Sequence, residues 1–218
     1  NLTDALACAQ EVIDSKRFEF MNDSINNVYA YRNLSYIEKM ARHEYVSSLY
    51  VYDLKEGRSD LFFKNLASCE CVIAEGRKAS IYSGMGQDLD IRSKNWFETP
   101  AGSATEYVNK YMRGTQIPLL KLSEMYLIAA EASGDIRYLE TLRANRGYAT
   151  DPLPAGANLQ DEITKEYQKE FIAEGQLFYY YKRRNMAILP ITSTSMNRAT
   201  YVLPVPDNEL EFGNFKQN

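Results

Sequence analysis

Apolar and polar positions along this chain follow two periods, one helical and one alternating. The helical period is clearest from Ile117 to Arg146. Leu120, Glu124, Leu127, Ile128 and Glu131 recur three and four residues apart, so apolar and acidic side chains sort onto separate faces. The helix is predicted to open at Pro118, whose ring presets a helical φ and whose missing N–H is no loss in a first turn. Ser133, Gly134 and Asp135 interrupt the pattern, and Asp135 is placed to cap a second helix. That helix carries Ile136, Leu139, Leu142 and Arg143 and stops at Gly147. Ala129, Ala130 and Ala132 leave room for two helices to approach, which predicts an αα-hairpin.

A third helical pattern begins at Asn158 and runs through Ile163, Tyr167, Phe171 and Phe178. Glu162, Glu166, Glu170 and Glu174 fall on every fourth residue of it, along one face. Like charges at that spacing repel mildly unless a base faces them. Two readings stay open: a solvated acidic face, or buried acids that meet Arg143 and Arg146 of the hairpin.

Elsewhere the elements are shorter. Leu2, Ala5, Leu6, Ala9, Val12 and Ile13 mark a first amphipathic helix that ends near Ser15. Residues 43–52 alternate apolar and polar with aromatic and β-branched enrichment, which predicts a strand or an extended segment. A short helix is expected around Ser35 to Met40 and another from Asp60 to Arg77, with Leu61, Leu66 and Val72 on its face. Residues 80–103 are rich in Gly, Asp and Ser and read as irregular. Ile188 to Thr200 reads as a polar crossing ahead of an extended tail containing Pro204 and Pro206.

Composition narrows the function classes. No linker-like tract divides the 218 residues, so they read as one domain. A net charge of −4 and a pI near 5.2 argue against nucleic-acid binding, which wants a basic field. No apolar run reaches the roughly 18–20 residues of a membrane span. The chain opens at Asn1 directly in helical pattern, with no signal-peptide pattern, as in a cytosolic protein or a processed exported one. Cys8, Cys69 and Cys71 are odd in number, and Cys69 and Cys71 stand too close for an ordinary disulfide or metal clip; all three read as buried or idle thiols. Seventeen tyrosines and nine phenylalanines are the one bias, and they suit cores and flat binding platforms equally.

No catalytic constellation emerges. A single histidine, His43, rules out a multi-histidine metal site. Gly84 and Gly86 lack the third glycine and preceding strand of a nucleotide fingerprint. Asp88 and Asp90 lack the further ligands of a calcium loop. Glu170 and Glu174 sit one turn apart on one face rather than across a cleft, as a glycosidase pair would. The expectation is a protein that is not an enzyme and that needs no metal or cofactor.

Four segments carry a resemblance. Residues 117–132 are similar to the helix of the SusD/RagB family that reads IPLLRLAEVYLIAAEA. Residues 142–147, with Arg143 and Arg146, resemble the family's paired-arginine segment. Glu166 to Gly175 resembles its glutamate-rich helix, and residues 201–210 its closing LLPIP motif, with Asn214 as the trailing asparagine. Weaker likenesses are the first helix, Glu44 to Val46, and Asp90 and Arg92 followed by Trp96. Leu177, Tyr180 and Tyr167 replace an arginine, an aspartate and an arginine of the family pattern. The resemblance covers most of this chain but only the C-terminal part of a usual family member, without its N-terminal half.

The resemblance implies a mainly α fold of helix pairs like tetratricopeptide repeats, packed around irregular extended segments. It implies a glycan- or nutrient-binding lipoprotein of the outer-membrane surface in a Bacteroidetes-like bacterium. Such a protein would deliver its ligand to a SusC-like TonB-dependent transporter. Its lipid anchor would lie upstream of Asn1 rather than at Cys8. A sugar face stacks on an exposed aromatic ring with hydroxyl partners nearby. Trp96, beside Asn95 and among Ser93, Lys94, Glu98 and Thr99, has that chemistry, and Tyr82 near Ser80 is a second candidate. The competing reading makes Trp96 and Phe97 core plugs beneath their loop. Two rival functions are a helical-repeat adaptor for a protein or peptide, and an enzyme with carboxylates across a cleft.

Overall fold

The computed structural model describes residues 1–20, 42–52, 72–82, 89–99, 106–108, 110, 116–190, 192–202, 204–206, 209, 211 and 213. They belong to two compact units, Asn1–Ala173 and Glu174–Asn218. The expected helix at Ser35 to Met40, the start of the one at Asp60, and Cys69, Cys71, Gly84, Gly86, Asp88 and Asn214 lie outside the described residues.

The first unit begins with α1 (Leu2–Asp14), capped by the Asn1 side chain, which accepts the Thr3 N–H at 2.9 Å. A 3-10 turn, Arg42–Glu44, leads into β1 (Tyr45–Tyr50). Then come β2 (Val72–Ile73), α2 (Arg77–Ile81), α3 (Ile91–Asn95), β3 (Phe97–Glu98) and β4 (Glu106–Val108). β5 (Gln116–Lys121) runs straight into α4 (Leu122–Ser133), followed by α5 (Ile136–Arg143), a π turn at Ala144–Tyr148 and α6 (Leu159–Glu170). The architecture is mainly α, with helix pairs and short sheets, as the resemblance implies.

The expected hairpin is α4 and α5. Gly134 takes φ +72° between them, and Asp135 caps α5 by accepting the Arg137 N–H at 2.9 Å. The other side of α4 receives α1. Ala9 and Ile13 pack with Leu122, Met125 and Ala129, and the small side chain of Ala129 permits that approach. Gln10 donates to the Tyr138 hydroxyl at 2.9 Å, and Phe20 tilts onto Tyr126. α6 is capped by Asn158, whose side chain accepts from the N–H groups of Gln160 and Asp161.

The structure moves one helix start. Residues 116–121 are extended, and the helix opens at Leu122. Pro118 lies within β5, opposite Ser48 of β1 in an antiparallel ladder. A two-stranded ribbon lets a proline sit where it has no second hydrogen-bonded neighbour, and its φ suits extended chain as well as a helix. The strand read from residues 43–52 is β1, bulged near Ser47.

The third helical pattern also breaks in two. α6 ends at Glu170, and α7 (Gln176–Arg183) belongs to the second unit. Ala173 and Gly175 occupy the left-handed region at φ +60° and +74°, which no continuous α-helix allows. Glu174 is therefore off the α6 face. Val72 and Ile73, expected at a helix end, form β2, which pairs with β4, as does β3. The stretch expected to be irregular holds the end of α2, all of α3, and β3. In the second unit the polar crossing is a hairpin, β6 (Ile188–Leu189) with β7 (Thr194–Ser195), then α8 (Arg198–Tyr201). Phe178 tilts onto Tyr201, whose hydroxyl donates to the Met186 carbonyl at 2.8 Å.

Candidate functional site

The densest chemistry in the first unit is a buried ion network. Asp90 caps α3, accepting the Arg92 N–H at 2.8 Å, and its carboxylate also takes Arg92 Nε at 3.0 Å and Nη2 at 2.8 Å. The same guanidinium reaches Glu166 Oε2 at 2.8 Å and Glu170 Oε2 at 3.1 Å on α6. Arg146, from the π turn, forks onto Glu170 at 3.1 and 3.0 Å and onto Glu44 at 2.8 and 2.7 Å. Arg143 reaches Glu166 at 3.3 Å, and Lys169 reaches it at 2.9 Å. Lys110 and Lys121 both donate to the Glu170 carbonyl. All of these side chains are buried.

Helical spacing explains the meeting. Glu166 and Glu170 are one turn apart, so α6 offers two carboxylates on its inner face. Arg143 and Arg146 are three apart across the end of α5 and face them. Gly147 makes the approach possible. Its φ is +105°, and a Cβ there would overlap the Leu89 carbonyl, immediately before Asp90. Of the two readings of the glutamate row, the buried one holds for Glu166 and Glu170. Glu162 stays near solvent with Lys165.

Electrostatics fix the protonation state. Burial pushes the Glu166 carboxyl up, but Arg92, then Lys169 and Arg143, outweigh it and bring its pKa down to about 2. Burial likewise opposes the ionised form of Glu170, and Arg146, Lys121, Arg92 and Lys110 hold it well below the usual carboxylate range. Burial raises the Tyr148 hydroxyl, and its ring lies against the Arg143 guanidinium at 4.4 Å. Carboxylates held ionised by fixed cations are poor general acids at neutral pH. The network is a scaffold that clamps α3, α6, the π turn and the 3-10 turn together.

The three residues singled out for sugar contact lie beside this scaffold. Trp96 is 3% exposed, with Lys110 Nζ 3.9 Å from its ring centre. Tyr82 is 0% exposed; its ring meets Phe97 edge-on, and its hydroxyl donates to the Lys169 carbonyl at 3.1 Å. Asn95 is half-buried at the end of α3. Neither ring offers an open face, so the geometry is that of core plugs. Among the described residues no group of three or more His, Cys, Asp or Glu side chains is placed to hold a metal ion. His43 and Cys8 are exposed; Cys8 lies on the solvent side of α1, which excludes the buried one of the two alternatives, buried or idle, given for it.

The open aromatic faces lie elsewhere. Tyr50 at the end of β1 is 66% exposed, and Tyr52, two residues on, is 85% exposed. Sequence reasoning placed them on a strand but did not single them out. The available signal was a pair of tyrosines at the end of the predicted strand; Tyr50 closes β1, and Tyr52 lies in the turn beyond it. A cavity of about 190 Å³ lies beside Glu140, Arg143, Tyr148 and Asp151. Arg143 is engaged there by Glu166 and by the Asp151 carbonyl, at 3.2 Å.

No family model matches this sequence, and no curated protein does. A solved structure described as a candidate sugar-binding protein from Bacteroides vulgatus has a similar fold, with a TM-score of 0.68 at 19% identity. The likeness covers 96% of this chain and 53% of that one, so this chain spans about half its length.

Proposed function

We propose that this chain is a SusD/RagB-type glycan-binding protein of the bacterial outer-membrane surface. In this reading it captures an oligosaccharide without cleaving it and hands it to a SusC-like TonB-dependent transporter. A lipid attached upstream of Asn1 holds it at the membrane. The observation that carries the reading is the fold likeness to a candidate sugar binder across nearly the whole chain. The buried network supports it. Glu44, Asp90, Arg92, Arg146, Glu166 and Glu170 come from separate family-like segments and meet at one point. Residues shared with a family for structural reasons behave in this way, and the ligand surface is then built above them.

Electrophoresis in native gels cast with plant, host and microbial polysaccharides tests the capture step. Retardation by one glycan class is expected. Co-purification of a TonB-dependent transporter from membranes of the producing bacterium tests delivery. A protein- or peptide-binding adaptor is the second reading, favoured by the exposed aliphatics Leu49, Ile117, Leu119 and Leu120 on the β1–β5 ribbon. Absence of retardation on every gel would transfer the conclusion to it.

A further inference from the structure

We infer that the end of the β1–β5 ribbon is the sugar-stacking surface, with Tyr50 and Tyr52 as its platform and a neutral glycan as its ligand. The inference rests on the glycan-binding reading above and assigns it a place. Tyrosine rings at 66% and 85% exposure leave apolar faces in water. Tyr50 closes β1, and Tyr52 follows two residues on, in the turn that leaves the strand. Two such rings make a surface broader than either alone. Tyr50 lies directly across the ladder from Gln116, and Ser48, two residues before it, lies across from Pro118. The Gln116 amide supplies both donors and an acceptor beside the rings, and the Ser48 hydroxyl supplies one of each. That is the complement of a sugar: apolar C–H faces on aromatic rings, hydroxyls on uncharged polar groups.

Charge selects the class of glycan. Ribbon residues 45–50 and 116–121 include one formal charge, Lys121, and it is buried beneath the ribbon against Glu170. No exposed cation among them is available to pair with a uronic acid or a sulfate. The uncharged Gln116 and Ser48 side chains suit a neutral polysaccharide better than an acidic one. Leu49 and Ile117 form the neighbouring register pair, whose side chains alternate to the opposite side from Tyr50 and Gln116.

The test is native gel electrophoresis of wild type, Tyr50→Ala/Tyr52→Ala and Tyr50→Phe/Tyr52→Phe. The gels contain starch, xyloglucan or galactomannan as neutral probes, and polygalacturonate or chondroitin sulfate as acidic ones. The expected result is retardation of wild type by a neutral polysaccharide. Affinity falls by about tenfold or more in the double alanine variant and is largely kept in the double phenylalanine variant, which retains the ring faces. Tyr179→Ala, at a tyrosine of α7 that is 70% exposed, leaves retardation unchanged. Far-ultraviolet circular dichroism checks that each variant keeps its helices. Undiminished retardation of the folded double alanine variant would overturn this site while leaving glycan capture intact. Retardation by acidic glycans alone would overturn the neutral class. No retardation of wild type by any probe would overturn both this inference and the function it rests on.

Discussion

Arg146 and Glu44, 102 positions apart in the chain, meet as a two-point ion pair with no exposure to solvent to speak of. Nη1 donates to Oε1 at 2.8 Å and Nη2 to Oε2 at 2.7 Å, while the remaining edge of the guanidinium holds Glu170. One planar cation thus ties the turn before β1 to α6. A buried pair of this kind adds little net stability over apolar packing, but removing one partner is costly because the other is left in a low dielectric. Arg146→Ala is expected to destabilise the protein by about 3–5 kcal/mol, read from the urea midpoint. Arg146→Lys should recover little of that, since an ammonium cannot fork onto two carboxylates in a plane. A lysine variant as stable as wild type would show that charge alone matters there.

The same network predicts an acid limb. Glu166 has a folded pKa of about 2 against an ordinary 4.5, and Glu170 is depressed as well. A carboxylate with a depressed folded pKa contributes stability that is fully present above the ordinary value. That contribution is lost as pH falls through the folded value. Stability should therefore decline from near pH 4.5 towards pH 2, by an amount on the order of a few kcal/mol for Glu166 alone. Glu166→Gln should be less stable at pH 7 and should flatten the decline. Denaturant titrations at pH 7, 5, 4 and 3 measure both effects. Parallel pH profiles for the two proteins would exclude Glu166 as the source.

Backbone geometry yields a third expectation. Gly147 sits at φ +105° with no room for a Cβ beside Leu89, whereas Gly156 sits at φ +81° with nothing within 4 Å of the equivalent position. Both alanine substitutions incur conformational strain, but only the first also pushes apart the segment that presents Asp90 and Arg92. Gly147→Ala should cost well over about 1 kcal/mol, and Gly156→Ala about 1 kcal/mol or less. Thermal unfolding of the two variants side by side checks the ranking. Equal losses would mean that the close approach at Leu89 relaxes easily.

How far the sequence revealed this arrangement differs from residue to residue. The α4–α5 hairpin was legible because its signals are local: a helical period, a glycine, and a capping aspartate in the right place. The buried glutamates were half legible. Spacing put Glu166 and Glu170 on one face, but the same spacing describes a solvated acidic row. The choice depended on Arg92, 74 and 78 positions away, and on a turn at Gly147. Lys121 and Lys110 gave no signal, since a lysine beside an apolar run ordinarily snorkels to water. Here each instead finds an aromatic face, Phe171 and Trp96, and a carbonyl. Pro118 misled because a proline fits a helix start and an edge strand equally, and only the partner strand decides. Trp96 was ambiguous, suiting a sugar platform or a core plug, and its burial decides for the plug: its polar neighbours in sequence are not its neighbours in space. Phe97 follows it into β3, and the ring turns inward.

That burial gives the last prediction, which separates scaffold from ligand surface. Trp96 is among the core residues, with the Lys110 ammonium lodged on its ring at 3.9 Å. Deleting a buried indole removes its transfer free energy and leaves a cavity; the cost for such a truncation is about 3–5 kcal/mol. In a chain of this size that lowers Tm by roughly ten degrees. The loss should appear in the absence of any glycan. At a temperature where Trp96→Ala remains folded, its retardation by polysaccharide should match wild type, because the ring has no face to offer. Tyr50→Ala/Tyr52→Ala should show the reverse pattern, an unchanged Tm with weakened retardation. Calorimetry and native gels on the same two preparations read both axes. If Trp96→Ala kept its Tm and lost glycan retardation, the ring would have to swing out on binding, and the ligand surface would move from the ribbon to α3.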